Sequence, residues 1–168
     1  INYILFRIMH EIKINKKLSK EERYIELCNQ IESLIIEEKD IIAILSNITA
    51  AIQDTYNFLW VGFYLVKSNE LVLGPFQGPV ACFRIGFGKG VCGTSWKENK
   101  TFIVKDVNKF PGHIACSSMS KSEIVIPIRR KHEVYGVLDI DSKEYSSFDK
   151  TDKKYLKKII AMVEDKLV

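Results

Sequence analysis

The sequence predicts an α+β fold, in which a central antiparallel sheet of about six strands is covered by helices packed on one face. Three observations support this fold class. Helical periodicity of apolar residues marks both ends of the chain, strand candidates rich in β-branched and aromatic residues fill the middle, and the links between these strands are of hairpin length. Strands joined by short links pair antiparallel, and the flanking helices then cover one side of the sheet.

Three amphipathic helices are predicted from their caps and from their apolar spacing. The first covers 19–38 and begins with a capping box, because Glu22 follows Ser19 by three residues. Asp40 caps the second helix, and the third covers 149–167. Each presents one apolar face, made of Tyr24, Leu27, Cys28, Ile31, Leu34 and Ile35, of Ile41, Ile44, Leu45, Ile48 and Ile52, and of Leu156, Ile159, Ile160, Val163 and Leu167.

The first strand is predicted over 58–66. Alternation places Leu59, Val61, Phe63 and Leu65 toward the helices, and Phe58, Trp60, Gly62 and Tyr64 on the opposite face, where a small amphipathic ligand could bind. The other predicted strands cover 70–74, 79–85, 101–104, 123–130 and 134–142, with a glycine-rich loop at 86–93, a short helical piece near 94–99 and a long loop over 106–122.

Bulk composition limits the function classes. With 168 residues and 46% hydrophobic content, the chain can bury one core without disulfides. Its net charge of +4 is small and its lysines are scattered, which disfavours nucleic-acid binding. No apolar run is long enough to span a membrane, and the first residues lack the pattern of a signal peptide. A cytoplasmic protein with reduced thiols is expected.

Three of the four cysteines, Cys82, Cys92 and Cys116, lie beside glycines, where the backbone can turn and a ligand can approach. Cys28 instead belongs to a helical apolar stripe and is expected to be a buried core residue. Asp139 and Asp141 fall on one face of a strand, and Glu123 begins the neighbouring strand. Carboxylates in an apolar strand are costly unless they are solvated or bind a cationic or proton-sharing ligand.

Two other kinds of site match these residues in part. The segment 88–93 matches the dinucleotide-binding pattern G-x-G-x-x-G, but only 94–100 separate it from the next strand, too short for a crossover helix. Zinc could be bound by Cys82, Cys92, Cys116 and His113, but only His113 and Cys116 have the spacing typical of zinc ligands. Both readings are disfavoured, and no metal or organic cofactor is expected.

The segments LGPFQGPVAC, FGKGVCGTS, DVNKFPGHIAC, SKSEIVIPI and GVLDIDS resemble the free methionine-(R)-sulfoxide reductases, a catalytic branch of the GAF fold. The resemblance covers residue 19 to the C-terminus. It implies a GAF-like catalytic domain over 19–168, preceded by an N-terminal extension over 1–18. It also implies an L-methionine (R)-S-oxide reductase that acts on the free amino acid in the cytoplasm, uses thioredoxin as reductant and forms a homodimer.

The resemblance also implies roles for individual residues. Cys116 matches the attacking cysteine, Cys82 the partner that forms a disulfide with it, and Cys92 a third cysteine of disputed role. Glu123, Asp139 and Asp141 match the family's acids that hold the substrate's ammonium group and sulfoxide oxygen. Trp60 and Tyr64 match the aromatic wall around the methyl group of the substrate. Pro79 and Ser117 depart from the family's usual residues. The alternative hypothesis is a GAF small-molecule or redox sensor without catalysis.

Overall fold

The computed structural model describes residues 11–114 and 117–167. Within them it contains four α-helices, one 3₁₀ turn and six strands. The helices are α1 (Lys20–Ile35), α2 (Ile41–Tyr56), α3 (Gly90–Glu98) and α4 (Lys150–Glu164), and the 3₁₀ turn covers Val107–Lys109. The strands are β1 (Trp60–Lys67), β2 (Glu70–Gln77), β3 (Arg84–Gly86), β4 (Phe102–Val104), β5 (Ser122–Arg130) and β6 (Glu133–Ser142).

All six strands form one antiparallel sheet in the order β3-β2-β1-β6-β5-β4. The long strands β1, β6 and β5 therefore occupy the middle, and the short β3 and β4 lie at opposite edges. The predicted fold class is confirmed. The predicted hairpin between β5 and β6 is also present, and Lys131 at its turn has a φ of 57°.

Helices α1, α2 and α4 pack on one face of the sheet around a large apolar core. Their predicted starts are confirmed. Ser19 and Glu22 form the capping box of α1, while Asp40 caps α2 through the amide of Ala43. Cys28 is fully buried in this core, as predicted. Local signals at the helix starts were sufficient here because a cap involves residues only three positions apart.

Helix α3 lies on the opposite face of the sheet, where Val91 and Cys92 join a second apolar cluster with Trp60 and Tyr64. The helical layer therefore holds three of the four helices. Two buried carboxyl groups, those of Glu123 and Asp139, line a pocket together with residues of this second cluster. This face is where a functional site can form.

The boundaries of several elements differ from the prediction. Strand β2 continues to Gln77 instead of ending at 74, α1 ends at Ile35 instead of near 38, and three further differences affect the pocket face. Strand β1 begins at Trp60, so alternation does not extend to the two residues before it: Phe58 packs with the helical core and Leu59 with the opposite cluster, the reverse of the prediction. The strand predicted over 79–85 is only Arg84–Gly86. Helix α3 starts at Gly90 rather than near Thr94, which places Cys92 on a helix instead of a loop.

Among the described residues, every helix is too short or too polar to cross a lipid bilayer.

Candidate active site

A pocket opens on the sheet face that carries α3, above the centre of the sheet. Its floor comes from β1, β5 and β6, one wall from α3, and its rim from the loops that precede β3 and β5. The lining residues are Leu59, Trp60, Tyr64, Pro79, Val80, Ala81, Ile85, Lys89, Gly90, Val91, Cys92, His113, Ile114, Ser117, Ser120, Glu123, Asp139 and Asp141.

Strand register brings the three predicted acids together on the pocket floor. Glu123 pairs with Asp141 across β5 and β6, and Asp139 pairs with Gly62 of β1 on the other side. Glu123 and Asp139 are both buried. Because side chains alternate along each strand, all three carboxyl groups face the pocket.

Burial raises the pKa of Glu123 well above its ordinary range, and the neighbouring carboxyl groups of Asp139 and Asp141 raise it further. Burial likewise raises the pKa of Asp139, and Asp141 adds to the effect. The Oδ1 atom of Asp139 has no hydrogen-bond partner among the described residues. The cluster is therefore suited to hold protons at neutral pH or to bind a cationic group.

Asp141 is the most accessible of the three acids. Burial raises the pKa of its carboxyl group to about 6, partly offset by a hydrogen bond from the hydroxyl group of Ser120 to its Oδ1 atom. Sequence reasoning missed Ser120. The only signal was its place in the serine-rich run that follows Cys116, and that run does not indicate a contact with an acid 21 residues away.

Cys92 lies directly against the acids. Its thiol donates a hydrogen bond to Oε1 of Glu123 across 3.8 Å. The thiol is free and buried, and burial, followed by the charges of Asp139 and Glu123, raises its pKa well above the ordinary value. The donor atoms of Cys92, Glu123 and Asp139 all lie within 4.8 Å of one another, close enough to surround a cation. This set differs from the zinc ligands considered from the sequence.

The aromatic wall is formed by Trp60, whose ring stacks on Tyr64 at 5.8 Å and on Phe76 at 5.5 Å between ring centroids. Gly62 makes this arrangement feasible, since a Cβ atom there would lie 2.2 Å from the Trp60 ring and 2.6 Å from the Cβ atom of Phe76. The predicted glycine gap between two aromatic residues therefore holds an indole ring flat against the strand.

The polar ends of the two aromatic residues hold the loop that carries Cys82. The indole nitrogen of Trp60 donates to the carbonyl of Pro79 across 3.2 Å, and the hydroxyl group of Tyr64 donates to the carbonyl of Cys82 across 3.0 Å. Burial raises the pKa of the Tyr64 hydroxyl group, which keeps it protonated and able to donate. The aromatic wall thus fixes the position of Cys82 relative to the acids.

The predicted cysteines differ in state and location. Cys82 is disulfide-bonded and lies in the loop between β2 and β3, at the rim of the pocket. Cys116, predicted as the nucleophile, lies outside the described residues. Ile114 and Ser117, on either side of it in the sequence, both line the pocket.

The dinucleotide reading also disagrees with the topology. Helix α3 connects β3 to β4, and these strands lie at opposite edges of an antiparallel sheet rather than side by side and parallel. Gly93, the last glycine of the G-x-G-x-x-G pattern, packs against the carbonyl of Gly86, where a Cβ atom would lie only 2.4 Å away. The lack of a side chain at Gly93 allows α3 to pack closely against the end of β3.

Comparison with known proteins agrees with this geometry. A sequence profile of the GAF domain matches residues 38–163. GAF domain-containing protein A of Dictyostelium discoideum is 56% identical over 156 residues, covering 92% of this chain and 98% of that protein. The free methionine-R-sulfoxide reductase of Saccharomyces cerevisiae is 41% identical over 172 residues, covering 97% of this chain and 96% of the yeast protein.

Solved structures give the same grouping. The X-ray structure of free methionine-R-sulfoxide reductase from Neisseria meningitidis, in complex with its substrate, superposes with a TM-score of 0.92 at 45% identity, covering 95% of this chain and 96% of that one. The reduced form of the Staphylococcus aureus enzyme superposes with a TM-score of 0.84 at 50% identity, covering 86% of this chain and 95% of that one. The chain therefore belongs to the GAF domain family, and within it to the free methionine-R-sulfoxide reductases.

Proposed function

We propose that this protein reduces free L-methionine-(R)-sulfoxide to methionine. The observation that carries the proposal is the cluster of three carboxyl groups below a stacked indole ring, beside a loop with a disulfide-bonded cysteine. Free methionine sulfoxide offers an ammonium group, a polar sulfoxide oxygen and a methyl group. The cluster and the indole ring supply a partner of matching chemistry for each.

Asp139 and Asp141 are the proposed partners of the substrate's ammonium group. A buried carboxylate without a counter-ion is unstable, and Oδ1 of Asp139 has an unused acceptor position. A residue inside a peptide chain carries no such ammonium group, and it would leave these acids unpaired. The arrangement therefore favours the free amino acid over the protein-bound residue.

Glu123 is the proposed proton donor. In the first step the thiolate of Cys116 attacks the sulfoxide sulfur, and Glu123 supplies a proton to the sulfoxide oxygen. The attack forms a bond between the two sulfur atoms. The protonated oxygen then passes as a hydroxyl group to the sulfur of Cys116, while the sulfur–oxygen bond of the substrate and the new sulfur–sulfur bond break, so that methionine leaves and Cys116 becomes a sulfenic acid. A carboxyl group whose pKa is raised by burial keeps the proton that this step needs.

Regeneration is proposed to use Cys82 and thioredoxin. The thiol of Cys82 condenses with the sulfenic acid, which releases water and forms a disulfide, and reduced thioredoxin then restores both thiols by exchange. Support comes from the disulfide-bonded state of Cys82 and from the Tyr64 hydrogen bond that holds its backbone beside the pocket.

For Cys92, the third cysteine of disputed role, we propose a role different from those of Cys116 and Cys82. Its thiol is buried, its pKa is raised, and it donates to Glu123. These features favour a protonated thiol that orients the proton donor over a thiolate that attacks the substrate. The serine variant Cys92→Ser keeps a donor at this position and is expected to retain turnover, whereas Cys92→Ala is expected to lower it.

A homodimer in the cytoplasm is also part of the proposal, and its support is the family resemblance alone. Sedimentation velocity measures the oligomeric state directly. A monomer across the micromolar range would remove the dimer from the proposal and leave the reaction unaffected.

The central test is thioredoxin-coupled consumption of NADPH with three substrates. We expect turnover with free methionine-(R)-sulfoxide, and none with the S epimer or with a substrate whose amino and carboxyl groups are blocked. Absence of turnover with the free R form would contradict the proposed reductase activity and favour a GAF sensor whose thiols only report oxidation.

Two cysteine variants separate the chemical steps in a single-turnover assay without reductant. Cys116→Ser is expected to release no methionine, because the nucleophile is gone. Cys82→Ser should release about one methionine per site yet fail to recycle with thioredoxin. The matched control is Cys28→Ser. Cys28 has a free thiol on the other face of the sheet, so this variant should behave as wild type. Equal methionine release by Cys116→Ser and wild type would show that the nucleophile is another residue.

A further inference from the structure

Exposed apolar side chains are concentrated on the two loops that border the pocket. On the first loop, Val80 and Phe83 are 89% and 81% exposed. We use the name apolar rim for five exposed large apolar side chains described in segments 78–90 and 110–122, which are Val80, Phe83, Phe87, Ile114 and Met119. The remaining large apolar side chains exposed in the described part of the chain are Ile25, Ile36, Ile42 and Tyr145, and none of them lines the pocket.

The two loops are adjacent in space. Val80 and Ile114 line the same pocket from different loops. A Cβ atom on Gly90, at the end of the first segment, would contact Ile114 at 3.4 Å, and Phe87 rests edge-on against Trp96 with ring centroids 4.8 Å apart. The apolar rim is therefore one surface around the pocket mouth. Exposed apolar groups that cluster in this way mark an interaction site.

The charged residues within the two segments of the apolar rim are all basic. Segments 78–90 and 110–122 contain Arg84, Lys89 and Lys121 but no aspartate or glutamate, and Arg84 is already paired with Glu70 of β2 across 3.0 Å. Lys89 is exposed and lines the pocket. A partner that fits this surface has an apolar contact face edged by acidic groups, because such a face pairs with the lysines and buries the phenylalanines.

Cys82 lies between Val80 and Phe83, which are among the most exposed side chains of the rim, and it is disulfide-bonded. We propose that the apolar rim is the docking surface for a protein dithiol reductant, with Phe83 and Phe87 as its contact residues. This inference rests on the proposed function, which requires such a reductant. Any protein that brings a sulfur atom within bonding distance of Cys82 must cover Val80 and Phe83, the exposed side chains on either side of it.

The exchange at this surface balances without another reactant. A thiolate of the docked protein attacks one sulfur of the disulfide, whose sulfur–sulfur bond breaks, and the released cysteine takes up a proton. The second thiolate of the docked protein then attacks the mixed disulfide. Two electrons pass to this chain, both of its cysteines are reduced, and the reductant leaves as a disulfide.

A second copy of this chain is disfavoured as the permanent occupant. A stable dimer through the apolar rim would cover the pocket mouth and Cys82 in each subunit, and neither substrate nor reductant could enter. A transient partner needs only a small contact area, since redox encounters bury less than about 1,200 Å². The size and position of the rim favour such an encounter.

The test uses the full chain, oxidised in advance, and follows disulfide reduction by gel shift after thiol alkylation, with no methionine sulfoxide present. Reduced thioredoxin is compared with dithiothreitol for wild type, Phe83→Ser and Phe87→Ser. The control is Ile36→Ser, an equally drastic change at a 70% exposed residue of the helical layer. Phe83 and Phe87 do not line the pocket, so their loss leaves the substrate site intact.

We expect Phe83→Ser to slow reduction by thioredoxin at least about fivefold, with reduction by dithiothreitol changed by less than about twofold. Ile36→Ser should change neither rate. Equal rates with thioredoxin for wild type and both phenylalanine variants would overturn the proposal. So would an equal loss with dithiothreitol, or a wild-type dimer that Phe83→Ser converts to monomers. Because the assay contains no substrate, failure of the proposed reaction would appear separately, as absence of methionine in the turnover assay.

Discussion

At the scale of single residues, the site depends on carboxyl groups that are buried without a basic partner. No lysine or arginine among the described residues forms an ion pair with Glu123, Asp139 or Asp141. Among the described residues, the side-chain hydrogen-bond partners of these acids are one another, Cys92 and Ser120. Such a cluster is unfavourable for folding by itself, and binding of a cationic substrate offsets part of that cost.

Removing single acids should lower activity without lowering stability. Asp139→Asn keeps the shape of the side chain but removes the negative charge that pairs with an ammonium group. Glu123→Gln removes the proposed proton donor. We expect each to lower kcat/KM at least about tenfold, equivalent to about 1.4 kcal/mol, with little change in Tm. Steady-state kinetics and thermal unfolding measure both. Fully active variants would show that the acids are a solvated strand face.

The acid cluster should also set how stability depends on pH. The folded state raises the pKa of Asp141 to about 6, from about 3.9 for an ordinary aspartate. The folded protein therefore binds this proton more tightly than the unfolded chain does. The resulting stabilisation is complete below about pH 4, is lost as pH rises to about 6, and amounts to at most about 3 kcal/mol.

Urea unfolding of wild type and Asp141→Asn from pH 4 to pH 7 tests this. The free energy of unfolding of the wild type should fall relative to that of the variant, which has no charge to bury at this position. Parallel curves for the two proteins would contradict the raised pKa. Carboxyl groups outside the cluster contribute equally to both proteins, so the difference between the curves reports on Asp141 together with its effect on Glu123 and Asp139.

At the scale of elements, α3 determines where Cys92 lies. Gly93 packs so closely on the carbonyl of Gly86 that no larger residue fits without moving the backbone. We expect Gly93→Ala to lower the free energy of unfolding by about 1–3 kcal/mol, the range typical of overpacking, and to lower activity because Cys92 and Glu123 move apart. Chemical denaturation and kinetics measure the two effects.

Gly86→Ala is the matched control. A Cβ atom on Gly86 would meet only the flexible side chain of Lys89, at 3.4 Å. Gly86→Ala should lower the free energy of unfolding much less than Gly93→Ala does. Similar costs for the two variants would mean that the contact between Gly93 and the Gly86 carbonyl does not limit the position of α3.

The start of α3 also shows where sequence reasoning reached its limit. The caps at Ser19 and Asp40 were predictable because both partners of each cap are near in sequence. The shared face of Asp139 and Asp141 followed from strand alternation. The first turn of α3, from Gly90, includes Gly93, which packs against the Gly86 carbonyl, and the hydrogen bond from Ser120 to Asp141 joins residues far apart in sequence. No local pattern indicated either contact.

At the scale of the whole molecule, one buried carboxylate connects the first and last helices. Asp152 of α4 is fully buried and accepts hydrogen bonds from the ammonium group of Lys20, from the hydroxyl group of Tyr24 across 2.8 Å and from the amide of Asp149 across 2.7 Å. It thereby completes the capping box of α4 and holds α1 against it.

Loss of this carboxylate should destabilise the whole fold. Asp152→Ala removes the acceptor of three donors, of which Lys20 keeps a second acceptor, Oδ2 of Asp149 across 2.9 Å. We expect the variant to lower the free energy of unfolding by about 3–5 kcal/mol, measured by urea denaturation. The control Lys154→Ala removes an exposed ion pair between the same two helices, with Glu21, and should lower the free energy of unfolding far less than Asp152→Ala does. Equal costs would show that Asp152 contributes no more than a surface ion pair.

The glycine gap below Trp60 has a practical consequence. The chain has two tryptophans, and both belong to the pocket face of the sheet: Trp60 lies over Gly62, and Trp96 lies beneath Phe87 of the apolar rim. Tryptophan emission therefore originates entirely from this side of the molecule, with no contribution from the helical core. When the tryptophans are excited selectively over the tyrosines, the emission of Trp60 reports on substrate in the pocket. The emission of Trp96 reports on a reductant docked at the apolar rim.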